Sequence, residues 1–215
     1  MNILLSLIAG AESVSPVFIL AILMVSVIIH EVSHGYTAGF LGDPTAKYEG
    51  RLTLNPISHL DLFGSFIVPL LTYMSTGMVF GWAKPVPYNP YNLKGGKWGP
   101  AIVALAGPLA NFVVALIFAF VIKFNLLYGF LTPAILVLTA YIVLINLILT
   151  FFNLIPIPPF DGSKILFALL PYKYEWIRKT IETFWLLALI VFILFFWQSI
   201  VIFILDAFSF SFFGA

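Results

Sequence analysis

Apolar runs of bilayer length, separated by short polar stretches, dominate the chain. Runs of about 20 or more residues fall at 15–41, 100–122, 133–156 and 183–205, and a stretch of about 20 apolar residues suffices for a helix to cross the hydrocarbon core. A fifth run, 62–81, holds Gly64, Pro69, Gly77 and Gly81, which interrupt a continuous helix. Its flanks decide its placement: Lys47 and Arg51 precede it and Lys84, Lys94 and Lys97 follow it. If 62–81 crossed the membrane, one of these groups would face outward, against the tendency of Lys and Arg to stay on the cytoplasmic side. The segment is therefore expected to be re-entrant, lining a protein or water cavity.

With four spans the charges sort themselves. The N-terminus lies outside and 15–41 runs inward. Then 100–122 runs outward to a connection carrying Lys123, 133–156 returns, and 183–205 leaves again. Nine of the ten basic residues then lie inside. The expected fold class is an all-α, multi-pass integral membrane protein. Composition agrees: 62% of residues are hydrophobic and 9% charged, against about 25% charged in soluble domains. The net charge of +1 excludes a strongly basic nucleic-acid surface. Residues 1–11 carry no basic n-region, which argues against a signal peptide.

Inside the first span stands His30-Glu31-Val32-Ser33-His34. Two imidazoles four apart share one helical face and can bind one zinc, with the intervening glutamate placed as general base. From His34 to Gly42 is eight residues, or roughly 12 Å of helix, so the motif lies inside the bilayer near its cytoplasmic face. A carboxylate at such depth costs about 2.5–3.5 kcal/mol on insertion scales, which disfavours a purely structural pair of core histidines. Zinc needs a third protein ligand, and with no cysteine in the chain it must offer nitrogen or oxygen. The candidates are Asp161, His59, Asp43, Glu49 and Asp61. Four of these lie in the loop after the motif helix. Asp161 differs in following Asn153-Leu154-Ile155-Pro156-Ile157-Pro158-Pro159-Phe160 and preceding Gly162, a broken helix end at about the depth of His34.

HEVSHG at 30–35, GPLAN at 107–111 and NLIPIPPFDG at 153–162, in this order within membrane segments, resemble the site-two proteases, a family of intramembrane zinc metalloproteases. LTLNPISHLDLFGS at 52–65 and FGWAKPVPYNP at 80–90 are similar to loops of its compact prokaryotic members. The resemblance implies one zinc (Zn2+) per chain held by His30, His34 and Asp161, with Glu31 activating a zinc-bound water. It implies that 62–81 enters the membrane as a re-entrant, β-like element, and that Asn111 and Asn153 lie near the metal, where an amide can donate to an oxyanion or to substrate backbone. Residues 1–215 then read as a single membrane-embedded metalloprotease domain. Its partners would be a transmembrane-helix protein substrate, the lipid bilayer and a membrane regulator, with no nucleic acid. A metal transporter would need a polar path through the outer half of the spans, where polar residues are few. A non-cutting scaffold would have no use for Glu31.

The four-span arrangement predicts that single cysteines replacing Asn89 and Tyr128 label from opposite faces of sealed vesicles. Labelling from one face contradicts it.

Overall fold

The computed structural model describes residues 4, 6–7, 14–61, 63–68, 70–71, 74 and 83–213. Among these, four helical stretches are long and apolar enough to cross a membrane. Helix α1 spans Pro16–Phe40, a short α2 spans Thr45–Tyr48, α3 spans Trp98–Tyr128 and α4 spans Pro133–Asn153. Helix α5 spans Asp161–Leu169, α6 spans Glu175–Phe192, and α7 spans Gln198–Phe213 after a π-helical turn at Ile193–Trp197.

Helix α3 is the centre of the bundle, packing against α1, α4 and α5. The reason is legible in its inward positions. Ala104, Gly107, Asn111, Ala115 and Ala119 are buried at steps of three or four residues, which is one helical face. Small side chains let helix backbones approach closely where lipid tails remove the hydrophobic drive for association. Val143 and Leu147 of α4 and Leu205 of α7 close the core beside Ala115, Ala119 and Ile122. Outward positions such as Phe18, Leu109, Ile117, Phe120 and Leu187 are large, apolar and exposed, as lipid-facing surface requires.

Boundaries differ from the expected spans where local chemistry overrides hydropathy. Helix α3 continues past Lys123 to Tyr128 and stops at Gly129, whose φ of 64° closes it in the left-handed conformation. Lys123 is accommodated by donating to the Phe212 carbonyl at 2.9 Å, at the negative end of α7. This contact puts the far ends of α3 and α7 on the same side. The third span ends at Asn153 rather than 156, because Pro156, Pro158 and Pro159 cannot continue a helix. The last helical stretch runs from Tyr172 to Phe213, 42 residues, or about 63 Å, twice the hydrocarbon thickness. It kinks at Phe184 (φ −105°, ψ 16°). The turns before the kink carry Arg178, which pairs with Glu182 at 2.9 Å. The 62–81 segment falls largely outside the described residues, so its re-entrant course is not described. Its described part is helical rather than β-like: Phe63–Ile67 forms a π-helical turn, started by Gly64 N donating to Asp61 Oδ1 at 2.6 Å.

The loop that leaves α1 is pinned by Asp43, which is 0% exposed. Its Oδ1 accepts from Thr45 Oγ1 at 2.6 Å and Asn92 Nδ2 at 2.9 Å, and its Oδ2 from Asn89 N at 2.7 Å. Burial pushes the Asp43 carboxyl up, but the bonds from Thr45, Asn92 and Asn89 outweigh this and hold it below its ordinary value. As pH falls the unfolded chain therefore takes up the proton first. The stabilisation is complete above the ordinary pKa of 3.8 and declines as pH drops through the lower folded value. Asp43→Asn should cost about 1–3 kcal/mol at pH 7, measured by thermal unfolding in detergent, and the gap to wild type should shrink at pH 3. An equal gap at both pH values contradicts this assignment.

Candidate metal centre

Helix α1 places His30 and His34 one turn apart, with ring centroids 4.6 Å from each other and planes perpendicular. Both side chains are nearly buried and face α3 at Gly107. A Cβ at Gly107 would lie 2.6 Å from His30 Nε2 and 2.6 Å from His34 Cε1, far inside contact distance, so only glycine leaves room for both rings. The GPLAN motif thus contributes an absence of side chain beneath the imidazoles.

Asp161 comes from the other side of the bundle. The Pro-rich turn after α4 brings the first residue of α5 back under the helix end. Gly162 makes this possible, because any side chain there would run into the Leu154 carbonyl. Asp161 Oδ2 then lies 3.1 Å from His30 Nε2 and 3.1 Å from His34 Nε2. The edge of a tetrahedron with zinc bond lengths of 2.0–2.1 Å is about 3.3–3.4 Å, so each histidine nitrogen stands from the carboxylate oxygen at about the separation that one such ion needs.

The ring hydrogens support the same conclusion. His34 Nδ1 faces the Val103 carbonyl at 2.7 Å, and His30 Nδ1 faces Asn111 Oδ1 at 2.6 Å. Both acceptors call for a proton on Nδ1. In the neutral rings Nε2 then carries a lone pair, and two lone pairs aimed at one carboxylate oxygen repel unless a cation stands between them. The residues present fit a zinc ion. Metal-bound histidines hold their second nitrogen in this way.

The other Asp161 oxygen, Oδ1, accepts from Lys164 Nζ at 3.1 Å, and the same ammonium lies 5.6 Å from the centre of the Tyr88 ring. Burial pushes the Lys164 ammonium down, and the Asp161 charge reverses this and raises it. Glu31, on the same helical turn as the histidines, accepts from Val86 N through Oε2 at 2.7 Å. The stretch before Val86 is held in place by Arg51, whose guanidinium donates to the Lys84 carbonyl at 2.8 Å.

His30, Glu31, His34, Asp161 and Asn111 are therefore brought together. Asn111 sits behind His30, and both its amide hydrogens are engaged, by the Ser26 carbonyl at 3.2 Å and Asn146 Oδ1 at 2.7 Å. This placement suits holding the ring rather than donating to an oxyanion. Asn153 ends α4 and gives one amide hydrogen to the Leu149 carbonyl at 3.0 Å. His59 donates through Nε2 to the Thr53 carbonyl of its own loop at 2.8 Å, and Asp43 belongs to the loop network. Sequence reasoning missed Asn146, Lys164 and the Val86 amide. Asn146 was visible in principle as a polar side chain inside an apolar run; the other two depend on chain folding.

An HExxH helix whose two histidines face a distant aspartate, among four helices apolar enough to cross a membrane, is the arrangement expected of an intramembrane zinc metalloprotease. The sequence model described as Peptidase family M50 matches residues 130–196. The provisionally named zinc metalloprotease YwhC of Bacillus subtilis (strain 168) is 39% identical over 160 residues, covering 72% of this chain and 69% of that protein. The provisionally named zinc metalloprotease Rip2 of Mycolicibacterium smegmatis is 32% identical, covering 71% and 60%. The zinc metalloprotease MJ0392 of Methanocaldococcus jannaschii is 29% identical, covering 74% and 36%. No solved structure matches the chain. The chain belongs to peptidase family M50, in agreement with the site-two protease resemblance, and is a multi-pass membrane zinc metalloprotease.

Gly107→Ala should weaken zinc binding on the order of tenfold or more by displacing the rings, measured by chelator competition, with helical content unchanged by circular dichroism. Wild-type affinity would show that the close approach of α3 is not needed.

Proposed function

We propose that this chain hydrolyses peptide bonds within or near the transmembrane segments of membrane-protein substrates, with His30, His34 and Asp161 holding the zinc and Glu31 acting as general base. The observation that carries this reading is the convergence of His30 Nε2 and His34 Nε2 on Asp161 Oδ2 at 3.1 Å each, one residue from Glu31. Bound zinc supplies Lewis acidity, polarising the scissile carbonyl and lowering the pKa of water.

The chain's own groups do the rest. The Val86 amide holds Glu31 Oε2 and leaves Oε1 to accept the proton of the attacking water. Glu31 then passes that proton to the leaving amine nitrogen as the C–N bond breaks. Asn153 keeps one amide hydrogen beyond its bond to Leu149, and donates it to the oxyanion or to substrate backbone. Lys164 holds Asp161 Oδ1 and so turns Oδ2 toward the histidines.

The site faces the cytoplasmic side of a plasma or inner membrane. Support for this comes from the basic residues: Lys47, Arg51, Lys84, Lys94, Lys97, Lys164, Lys173, Arg178 and Lys179 lie at the motif end of the bundle, and Lys123 at the other. Substrate helices reach the site through the bilayer and unwind locally, since a helical substrate ties up its own scissile carbonyl in hydrogen bonding.

Glu31→Gln in protein reconstituted with a membrane-embedded reporter should lower cleavage by roughly 10²–10⁴-fold while zinc stays near one per chain. Unchanged cleavage would contradict the assigned role of Glu31.

A further inference from the structure

The two ring protons of the metal site are set by different means. His34 Nδ1 faces a backbone carbonyl, Val103 O, which can only accept. His30 Nδ1 faces a side-chain amide, Asn111, which presents either an acceptor or a donor depending on which way it is turned. Turned over, Asn111 would offer NH2 to Nδ1, forcing the His30 proton onto Nε2 and into the metal position.

What prevents the flip is a chain of hydrogen bonds running back into the bundle. It begins at two groups that can only accept, the carbonyls of Ile142 and Ser26. Asn146 Nδ2 donates to the Ile142 carbonyl at 2.9 Å and to Ser26 Oγ at 2.9 Å. Both its hydrogens are thereby used, so its Oδ1 faces Asn111. Asn111 Nδ2 donates to that oxygen at 2.7 Å and to the Ser26 carbonyl at 3.2 Å, which leaves Asn111 Oδ1 as the end that faces His30. Asn111 and Asn146 are 0% exposed and Ser26 is 3% exposed, so within the bilayer no water substitutes for a lost partner. The Asn111 amide is thereby fixed at two points, by Asn146 Oδ1 in the shorter bond and by the Ser26 carbonyl in the longer one.

We propose that Asn146 of α4, together with Ser26 of α1, is a positioning residue for the zinc site: it fixes the Asn111 amide and, through it, the His30 tautomer whose Nε2 faces the metal. The relay acts at two removes and Asn146 does not touch the reacting atoms. The proposal rests on the reading of His30 as a ligand.

The test is a zinc-affinity cycle by chelator competition in detergent, with wild type, Asn146→Leu, Asn111→Leu, the double variant and His30→Ala. Each single asparagine variant should bind zinc about 10–100-fold more weakly, and the double variant no more weakly than Asn111→Leu, because Asn146 acts only through Asn111. Two asparagines that merely glue helices would give wild-type zinc affinity in Asn146→Leu, or effects that multiply in the double variant; either result overturns the relay. Zinc retained in His30→Ala overturns the ligand reading and the relay with it, whereas zinc lost there but kept in Asn146→Leu overturns the relay alone. If Asn146→Leu does not fold, nitrogen-15 histidine spectra of metal-free wild type answer the same question. The relay requires His30 to carry its proton on Nδ1, and a proton on Nε2 contradicts it.

Discussion

Everything in this structure depends on one electrostatic demand: two imidazole nitrogens are each held 3.1 Å from the same carboxylate oxygen, in the buried interior of the bundle, where a cation makes the arrangement favourable. In water such groups would separate and hydrate. Here their other atoms are tied to fixed partners, namely the Val103 carbonyl, the Asn111 amide and the Lys164 ammonium, so the three donors cannot turn away from each other. The energy of that repulsion is available to a bound ion, and metal binding and bundle assembly are coupled as in other structural and catalytic zinc sites.

The bundle is arranged to satisfy this demand. Small residues along α3 bring its backbone against α1, and at Gly107 the gap is left for the histidine rings. Prolines 156, 158 and 159 end α4 early, and Gly162 lets α5 begin directly beneath that end with Asp161 as its first residue. Polar groups that would be costly in lipid are used in pairs across helices: Ser26 with Asn146, and Thr150 Oγ1 with the Pro108 carbonyl at 3.2 Å. Thr150 and Asn146 lie one turn apart on α4 and face the same side as Asn111 of α3. The polar stripe therefore serves helix association and the metal site together.

Much of this was legible in the residues alone. Hydropathy places the four spans because each backbone group in lipid must be satisfied within a helix, and the HExxH spacing places both histidines on one face. Asp161 stood out by the prolines before it and the glycine after it, although the residues alone left His59, Asp43, Glu49 and Asp61 open and it was the family resemblance that pointed to Asp161. Span ends were less legible, since they rest on capping: Gly129 carries α3 five residues past Lys123, and the kink at Phe184 separates an ion-paired helical arm from the span. The direction of the Asn111 amide could not be read at all. It depends on Ser26 and Asn146, which are 85 and 35 residues away along the chain, and the spacing of a motif says nothing about partners at that distance.

The most direct test of the account is the zinc content of the purified protein, compared with that of Asp161→Ala. Close to one zinc per chain is expected in the wild type and a large loss in the variant, because a two-histidine site is one protein ligand short of a catalytic zinc centre. Full zinc retention without Asp161 would mean that another group completes the site, and the convergence of His30, His34 and Asp161 would not be the organising feature of the bundle.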